Sequence, residues 1–344
     1  MIILGIETSC DDTAAAIVKN GTDVLSDIVS SQVRIHKKYS GIVPELAARH
    51  HLENINFVID KTMQDARCKM QDIDAIAVTV GPGLIGSLLI GTTTAQAIAQ
   101  ILKIPVVAVN HIEGHVFANY IRTQEHKNTR TVVKPPFIAL VVSGGHTDLI
   151  LVKQLGIYKV LGRTRDDAVG EAFDKIAKFL ELGYPGGPVI DKLAKKGNPN
   201  KINFPRPYLW DSWDFSFSGL KTAVINYTRE HMNIRTRERL SDLCASFQQA
   251  CIDVLVSKTV SACKKYNIKR IALGGGVAAN SKLRADFIKR CKQEELKLFI
   301  PESISCTDNA AMIASAGYFK LKKVGRQQTI NPSANVELKS WNYR

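Results

Sequence analysis

No two of the seven cysteines stand as a C-x-x-C pair, and their number is odd. That argues against both a disulfide framework and a thiolate zinc site. The protease signature H-E-x-x-H is absent. No stretch fits G-x-x-x-x-G-K-[ST], and "GGGVAAN" misses the G-x-G-x-x-G spacing, so neither a P-loop nor a dinucleotide Rossmann site is supported. The opening "MIILGIETSCDD" has no basic leader followed by a long apolar stretch, and acid comes at once. Export is therefore not expected, and a reducing cytoplasm is the expected compartment. The longest uncharged run, residues 75–102, is broken by Gly81, Pro82 and Gly83 and carries four threonines and two glutamines. It reads as a buried strand, a glycine turn and a helix, not as a membrane span.

The chain is long enough to divide into two lobes, with 344 residues of which 45% are hydrophobic. Its formal charge of +14 fits a polyanionic partner, because clustered lysines and arginines gain affinity by releasing counterions from phosphates. A basic surface that only aids solubility explains the charge equally well. Basic runs at 34–38, 192–201, 229–239, 264–270 and 320–326 are scattered, so only folding can gather them.

A repeated unit organises the sequence. "IILGIETS", "CDDT" and "AAAIVKNG" read as strand, acidic turn and strand, and the pattern returns as "FIALVVS", "GGHT" and "DLILVKQLG". Setting Ser9 on Ser143 places Thr13 on Thr147, Val18 on Val152 and Lys19 on Lys153 without a gap. "DAIAVTVGPGLIGSLLIGTTTAQAIA" and "KRIALGGGVAANSKLRADFIKRC" then both read as strand, glycine loop and helix. A unit of this kind, present twice, predicts two α/β lobes facing each other across a nucleotide cleft, since glycine turns and helix N-termini bring backbone N–H groups to phosphate oxygens. Between the second hairpin and "GGGVAAN", residues 156–267 carry helical periodicity and read as an insertion.

"VNHIEGHVFAN" places His111 and His115 at i and i+4, on one face of a helix and within reach of one ion. Glu113 sits two residues from each and projects away from that face, so it is not the general base of a protease. A third ligand is available in "ISCTDNAAMIASAG", where Asp308 precedes an alanine-rich helix; a simple N-terminal cap is the competing role for this acid. Two neutral nitrogens and one carboxylate with open positions suit Fe(II) or Zn(II) acting as a Lewis acid.

At this point the motifs resemble a known family over nearly the whole chain. "GIETSCDDTAAAIV", "SQVRIHKKYSGIVPELAARHH", "GPGLIGSLLIG", "NHIEGH", "LVVSGGHTDLI", "DDAVGEAFDKIAK", "YPGGPVID", "FSFSGLKTA", "GGGVAANSKLR" and "CTDNAAMIA" are similar to the bacterial TsaD, formerly Gcp, proteins. Asp12 stands where members often carry Glu, and Val169 where Ala is usual.

The resemblance implies an α/β, duplicated actin-like (ASKHA, RNase H-like) two-lobe ATPase fold. Residues 1–108 joined by 309–344 would form one lobe, and 109–308 the other, with a helical insertion at about 155–265. It also implies transfer of a threonylcarbamoyl group from threonylcarbamoyl-AMP to N6 of adenosine 37 in tRNAs reading codons that begin with A. His111, His115 and Asp308 are then the metal ligands, with Fe(II) ahead of Zn(II). Val141, Val142, Ser143, Gly144, Gly145, Asp174, Gly187, Asp191 and Asn280 form the adenylate pocket, an adenine-nucleotide site. Expected partners are tRNA and the TsaB and TsaE proteins, after a TsaC-type synthase has made the adenylate.

Each of these residues has a plainer role open to it. Gly144 and Gly145 turn a hairpin, Asp174 pairs with Lys178, Gly187 breaks a helix, Asp191 is a surface acid and Asn280 caps a helix. Asp11 is the preferred proton acceptor, with Asp12 second, in a turn that otherwise reads as solvated acid. The rival functions are an actin-like small-molecule kinase, a metalloprotease and a nucleotide-dependent scaffold without catalysis.

Overall fold

The computed structural model describes residues 1–39, 41–122, 132–209, 211–231, 237–325 and 330–342. The basic runs 229–239 and 320–326 and the stretch "SQVRIHKKYSG" therefore lie partly outside the described residues. The chain forms two compact units. The first comprises Met1–Val133, Gln154–Tyr158 and Asp308–Arg344, and the second Lys134–Lys153 and Lys159–Thr307.

The first unit begins with strands β1 (Ile2–Glu7), β2 (Asp12–Lys19) and β3 (Asp23–Ser31). Helices α1 (Val33–His36) and α2 (Pro44–Asp65) follow, then β4 (Ala75–Gly81), α3 (Ile85–Leu102), β5 (Val106–Asn110) and α4 (His111–Phe117). The second unit holds β6 (Phe137–Val142), β7 (Thr147–Gln154) but for its last residue, β8 (Ile157–Arg163) but for its first two, α5 (Val169–Phe179), α6 (Gly186–Ala194), α7 (Ser218–Glu230), α8 (Arg237–Tyr266), β9 (Arg270–Gly274), α9 (Ser281–Gln293), β10 (Lys297–Phe299) and α10 (Ser303–Cys306). The chain then returns to the first unit with α11 (Ala310–Val324).

Both sheets have five strands, in the orders β3-β2-β1-β4-β5 and β8-β7-β6-β9-β10. The duplication extends to register. The antiparallel pair Ile6↔Ala15 in the first sheet and Leu140↔Leu149 in the second are equivalent positions in the Ser9-on-Ser143 frame. The parallel pairs Ile6↔Val78 and Leu140↔Leu273 match in the same way.

Central strands buried on both faces read as continuous apolar runs instead of alternating ones, as in β1 and β6. In the first unit α2 and α3 pack on β2 and β4, and α11 packs on β1, β2 and β4. Helix α3 is long and apolar enough to match a membrane span by composition. It buries Leu88, Gly91, Thr92, Ala95 and Ala99, and Gln96 donates to the Ile330 carbonyl at 3.1 Å.

In the second unit the 30-residue α8 is the central helix, packed against α6, α9 and the sheet. Phe247 on α8 meets Phe173 on α5 edge to face at 5.3 Å. The segment after the second hairpin opens with a strand, β8, so helix begins only at Val169. None of the seven cysteines is joined in a disulfide.

Candidate metal centre and nucleotide-binding loops

Three parallel strands of the first unit, β1, β4 and β5, end side by side, and ligands of α/β sheets collect at such carboxyl ends. Val109 on β5 pairs with Thr79 on β4, and the chain turns directly into α4. Asn110 caps this helix, its side-chain oxygen accepting from the N–H groups of Ile112 and Glu113 at 2.9 and 3.3 Å. His111 is thereby the first residue of the helix, and His115 follows one turn later.

Gly114, between the histidines, leaves room for the side chains of α11. A Cβ there would stand 2.6 Å from Ile313 Cδ1 on α11. The close approach of α4 and α11 brings Asp308, just before α11, to the histidines. Asp308 Oδ1 lies 3.3 Å from His115 Nε2 and 3.6 Å from His111 Nε2. The rings are 4.6 Å apart and nearly perpendicular, at 78°.

Ligand atoms about 2 Å from a common ion sit roughly 3–3.5 Å from one another; the three ligand atoms here lie within 4.8 Å of one another, close enough for a small adjustment to gather them on one ion. Neither ring nitrogen of the buried His115 has a hydrogen-bond partner among the described residues. A buried imidazole left in that state is costly, and an ion bound at Nε2, the nitrogen beside Asp308, would satisfy one of the two atoms. The helix-cap alternative for Asp308 gives way to its neighbour, since Asn309 caps α11 by accepting from the Met312 N–H at 2.9 Å.

Electrostatics in the first unit reflect two histidines among buried acids. Burial alone would lower the His111 pKa, yet the charges of Asp308 and Glu7 outweigh it and raise it to about 9. His115 falls below the ordinary range because burial dominates. At the β1–β2 turn, burial raises the carboxyl pKa of Asp11, with Asp308 adding to the effect. Burial raises that of Asp12 to about 7. The turn is braced by His51, whose Nε2 is 3.0 Å from the Cys10 carbonyl and whose Nδ1 is 2.7 Å from Thr13 Oγ1. The two acids therefore occupy a rigid, largely desolvated turn.

Glu113 faces away from the histidines, as its spacing predicts. Its Oε1 accepts from Tyr158 Oη at 2.7 Å and Trp341 Nε1 at 2.5 Å. Sequence reasoning missed Glu7, a lone acid inside an apolar strand, which contacts His111 Nδ1 at 3.0 Å. That anomaly in "IILGIETS" was its only signal.

In the second unit the turn after β6 presents Ser143, Gly144 and Gly145. The Ser143 carbonyl accepts from the N–H of Gly170, at the start of α5, at 3.2 Å, and Ser143 Oγ accepts from the His146 N–H at 3.1 Å. Gly275, at φ +86°, follows β9, and a Cβ there would stand 2.2 Å from the Val142 carbonyl; only glycine suits this position. Asp174 on α5 accepts from the Gly186 N–H at 2.6 Å and so fastens the start of α6. Asp191 on α6 accepts from Ser281 Oγ at 2.9 Å, and Asn280 caps α9 through the Leu283 N–H at 2.9 Å. The Asn280 amide also donates to Gln248 Oε1 at 2.8 Å.

The cap foreseen for Asn280 is thus present, and Asp191 ties two helices together where a plain surface acid was the alternative. Val142 is brought to Gly275, Asp174 to the residue before Gly187, and Asp191 to the residue after Asn280. A methyl group at Gly144, Gly145 or Gly187 would meet no protein atom within 4 Å, so these backbones are open to a ligand.

A family model described as TsaD, tRNA N6-adenosine threonylcarbamoyltransferase, matches residues 23–315. A tRNA N6-adenosine threonylcarbamoyltransferase of Caldicellulosiruptor saccharolyticus is 53% identical over 336 residues, covering 98% of this chain and 97% of that protein. The enzyme of the same name from Clostridioides difficile is 53% identical over 320 residues and 93% of each chain. Among solved structures, full-length HypF in its phosphate- and nucleotide-bound form superposes with a TM-score of 0.61 at 12% identity, over 95% of this chain and 56% of that one. Component A of (R)-2-hydroxyglutaryl-CoA dehydratase from Acidaminococcus fermentans gives 0.54 at 15% identity, over 94% and 100%. These structures share the actin-like ATPase fold with this chain. With half its residues identical to enzymes of one name across almost its full length, the chain belongs to the TsaD family of tRNA N6-adenosine threonylcarbamoyltransferases.

Proposed function

We propose that this acyltransferase carries out its reaction with a divalent metal, Fe(II) ahead of Zn(II), held by His111, His115 and Asp308. The observation that carries the reading is the convergence of the three ligand atoms around a buried His115 that has no other partner among the described residues. When bound, such an ion supplies Lewis acidity for a carbonyl or chelates the threonyl end of the substrate.

The donor is threonylcarbamoyl-AMP. Gly144, Gly145 and Gly187 receive it along bare backbone, while Asp174, Asp191 and Asn280 offer hydrogen-bonding groups to its nucleotide part. Val141 and Val142 anchor the turn from within the sheet. The attacking group is N6 of adenosine 37 in the tRNA, a weak nucleophile that must lose a proton as the new N–C bond forms and AMP departs. Asp11 accepts that proton, with Asp12 beside it as the alternative; their partial desolvation moves both toward neutral pH, where a general base works best.

Exposed lysines of the second unit, among them Lys192, Lys196, Lys265 and Lys269, supply the sequence-independent attraction to tRNA phosphates. TsaB- and TsaE-type proteins act with the chain, and the cytoplasm is its compartment. A kinase reading leaves the two histidines and Asp308 without a task, and the protease reading has no general base because Glu113 is engaged by Tyr158 and Trp341.

The test is rescue of depleted cells. Threonylcarbamoyladenosine in total tRNA should return with the wild-type gene and not with His111→Ala. Return with the variant would remove the metal centre from the mechanism.

A further inference from the structure

We infer that Glu7 is a positioning residue for the metal centre, holding the His111 ring so that Nδ1 carries the proton and Nε2 presents its lone pair beside Asp308. The inference rests on the metal-site reading above and adds to it a residue that never touches the ion.

Glu7 closes β1 and is completely buried. An ionised carboxylate in such a place is strongly unfavourable unless its oxygens are satisfied. Here both are. Oε1 accepts from the Ser9 N–H at 2.5 Å, Oε2 accepts from Thr79 Oγ1 at 2.7 Å, and Oε2 also stands 3.0 Å from His111 Nδ1.

A carboxylate is an acceptor only, so the contact with Nδ1 requires hydrogen there. In the neutral ring the free lone pair then lies on Nε2, the atom 3.6 Å from Asp308 Oδ1. Ser9 Oγ, 3.1 Å from the same Nδ1, helps fix the plane of the ring. Topology makes the arrangement rigid. Ile6 pairs with Val78, and Thr79 with Val109, so Glu7, Thr79 and His111 lie at the adjoining ends of β1, β4 and β5.

Two contrasts separate this role from simple structural support. Glu7 is sealed from solvent, so it has no access to substrate, and an apolar side chain of similar size would fill the same space without the cost of burying charge. His115 has no equivalent partner on either nitrogen among the described residues, so the carboxylate orients one ligand only. Carboxylates that fix a ligating histidine in this way typically change metal affinity roughly 10- to 100-fold when lost.

The test is Zn(II) affinity of the full chain, measured by competition with a chromophoric chelator, together with nitrogen NMR of the histidine rings in the Zn(II)-loaded protein. Glu7→Gln keeps size and removes charge. Its Zn(II) affinity should fall roughly 10- to 100-fold, and the hydrogen-bonded Nδ1–H signal of His111 should shift and exchange faster with water. Glu7→Asp, which restores the charge at a shorter reach, should recover part of the affinity. Unchanged affinity with an unmoved Nδ1–H signal in Glu7→Gln overturns the proposal.

His115→Ala separates this result from failure of the metal site itself. If that variant loses Zn(II) while Glu7→Gln retains it fully, only the role of Glu7 falls; if His115→Ala binds Zn(II) like wild type, the metal site falls and Glu7 with it. Should Glu7→Gln fail to fold, Thr79→Val, which deprives Oε2 of one donor, takes its place. A weakened affinity and a shifted Nδ1–H support the inference, and no change in either overturns it.

Discussion

Glu113 Oε1 accepts hydrogen bonds from both Tyr158 Oη and Trp341 Nε1, on the side of α4 opposite to His111 and His115. The glutamate of "HIEGH" is therefore a fastener. It ties α4 to the start of β8, and to the last described segment of the chain, where the Trp341 N–H also donates to the Gly156 carbonyl at 2.8 Å. The indole stacks on Phe117 of the same helix at 6.2 Å. Trp341→Phe keeps most of the ring packing and removes one donor from a buried acid, a change worth about 1–3 kcal/mol. Urea unfolding should show a loss of that size with metal content unchanged. A neutral result would mean that the indole N–H does not secure α4.

Gly187 offers a clean probe of the nucleotide site. Because an added methyl group meets no protein atom within 4 Å, Gly187→Ala should leave the melting temperature within about 1–2 °C of wild type, as befits a ΔΔG of a few tenths of a kcal/mol. If the adenylate lies against this backbone, KM for it should rise severalfold. Unchanged KM would move the ligand away from α6.

Asp11→Asn keeps the shape of the first hairpin turn and removes a proton acceptor. Transfer should drop by roughly 100-fold or more, the usual contribution of a positioned base, while metal content stays that of wild type. The wild-type rate should also climb with pH through the neutral range, because burial raises the acids of this turn, Asp12 to about 7. Full turnover by Asp11→Asn would transfer the role to Asp12.

Asp27 connects pH to stability. Burial raises its carboxyl pKa to about 7, against the opposing pull of the Ala310 and Ala311 backbone groups at the start of α11. An unfolded aspartate titrates near 4. Between those values the folded chain holds a proton that the unfolded chain has released, so this group's contribution is fully present below about pH 4 and is lost as pH rises through about 7. Asp27→Asn does not titrate. The difference in melting temperature, variant minus wild type, should therefore grow from about pH 5 to about pH 7 and level off beyond. A constant difference would show that Asp27 is ionised throughout.

Much of the architecture is legible in the sequence because the repeat is local and regular. Ser9 on Ser143 reproduces the observed strand register, and the i,i+4 histidines need only one helix to meet. Asp308 is different. Its place before α11 suits a cap as well as a ligand, and only the packing of α11 against α4 brings it to His115. Glu7 stands out as an acid in an apolar strand, yet its partner, more than a hundred residues away, is unreadable before β1, β4 and β5 are aligned. Asp174, Asp191 and Asn280 show the opposite problem. Each stands at a helix or its end, where the same spacing suits a cap, a fastening between helices and a nucleotide ligand. The structure finds the first two of these uses already made.

In the proposed reaction the chain transfers a threonylcarbamoyl group to tRNA with the help of a metal held by His111, His115 and Asp308. The most direct measurement is the threonylcarbamoyladenosine formed when purified chain, its TsaB- and TsaE-type partners, unmodified tRNA and threonylcarbamoyl-AMP are combined, quantified by nucleoside mass spectrometry for wild type and His115→Ala. Modified adenosine with matching AMP release is expected from the wild type and neither from the variant. Wild-type yield from a folded His115→Ala protein would contradict it.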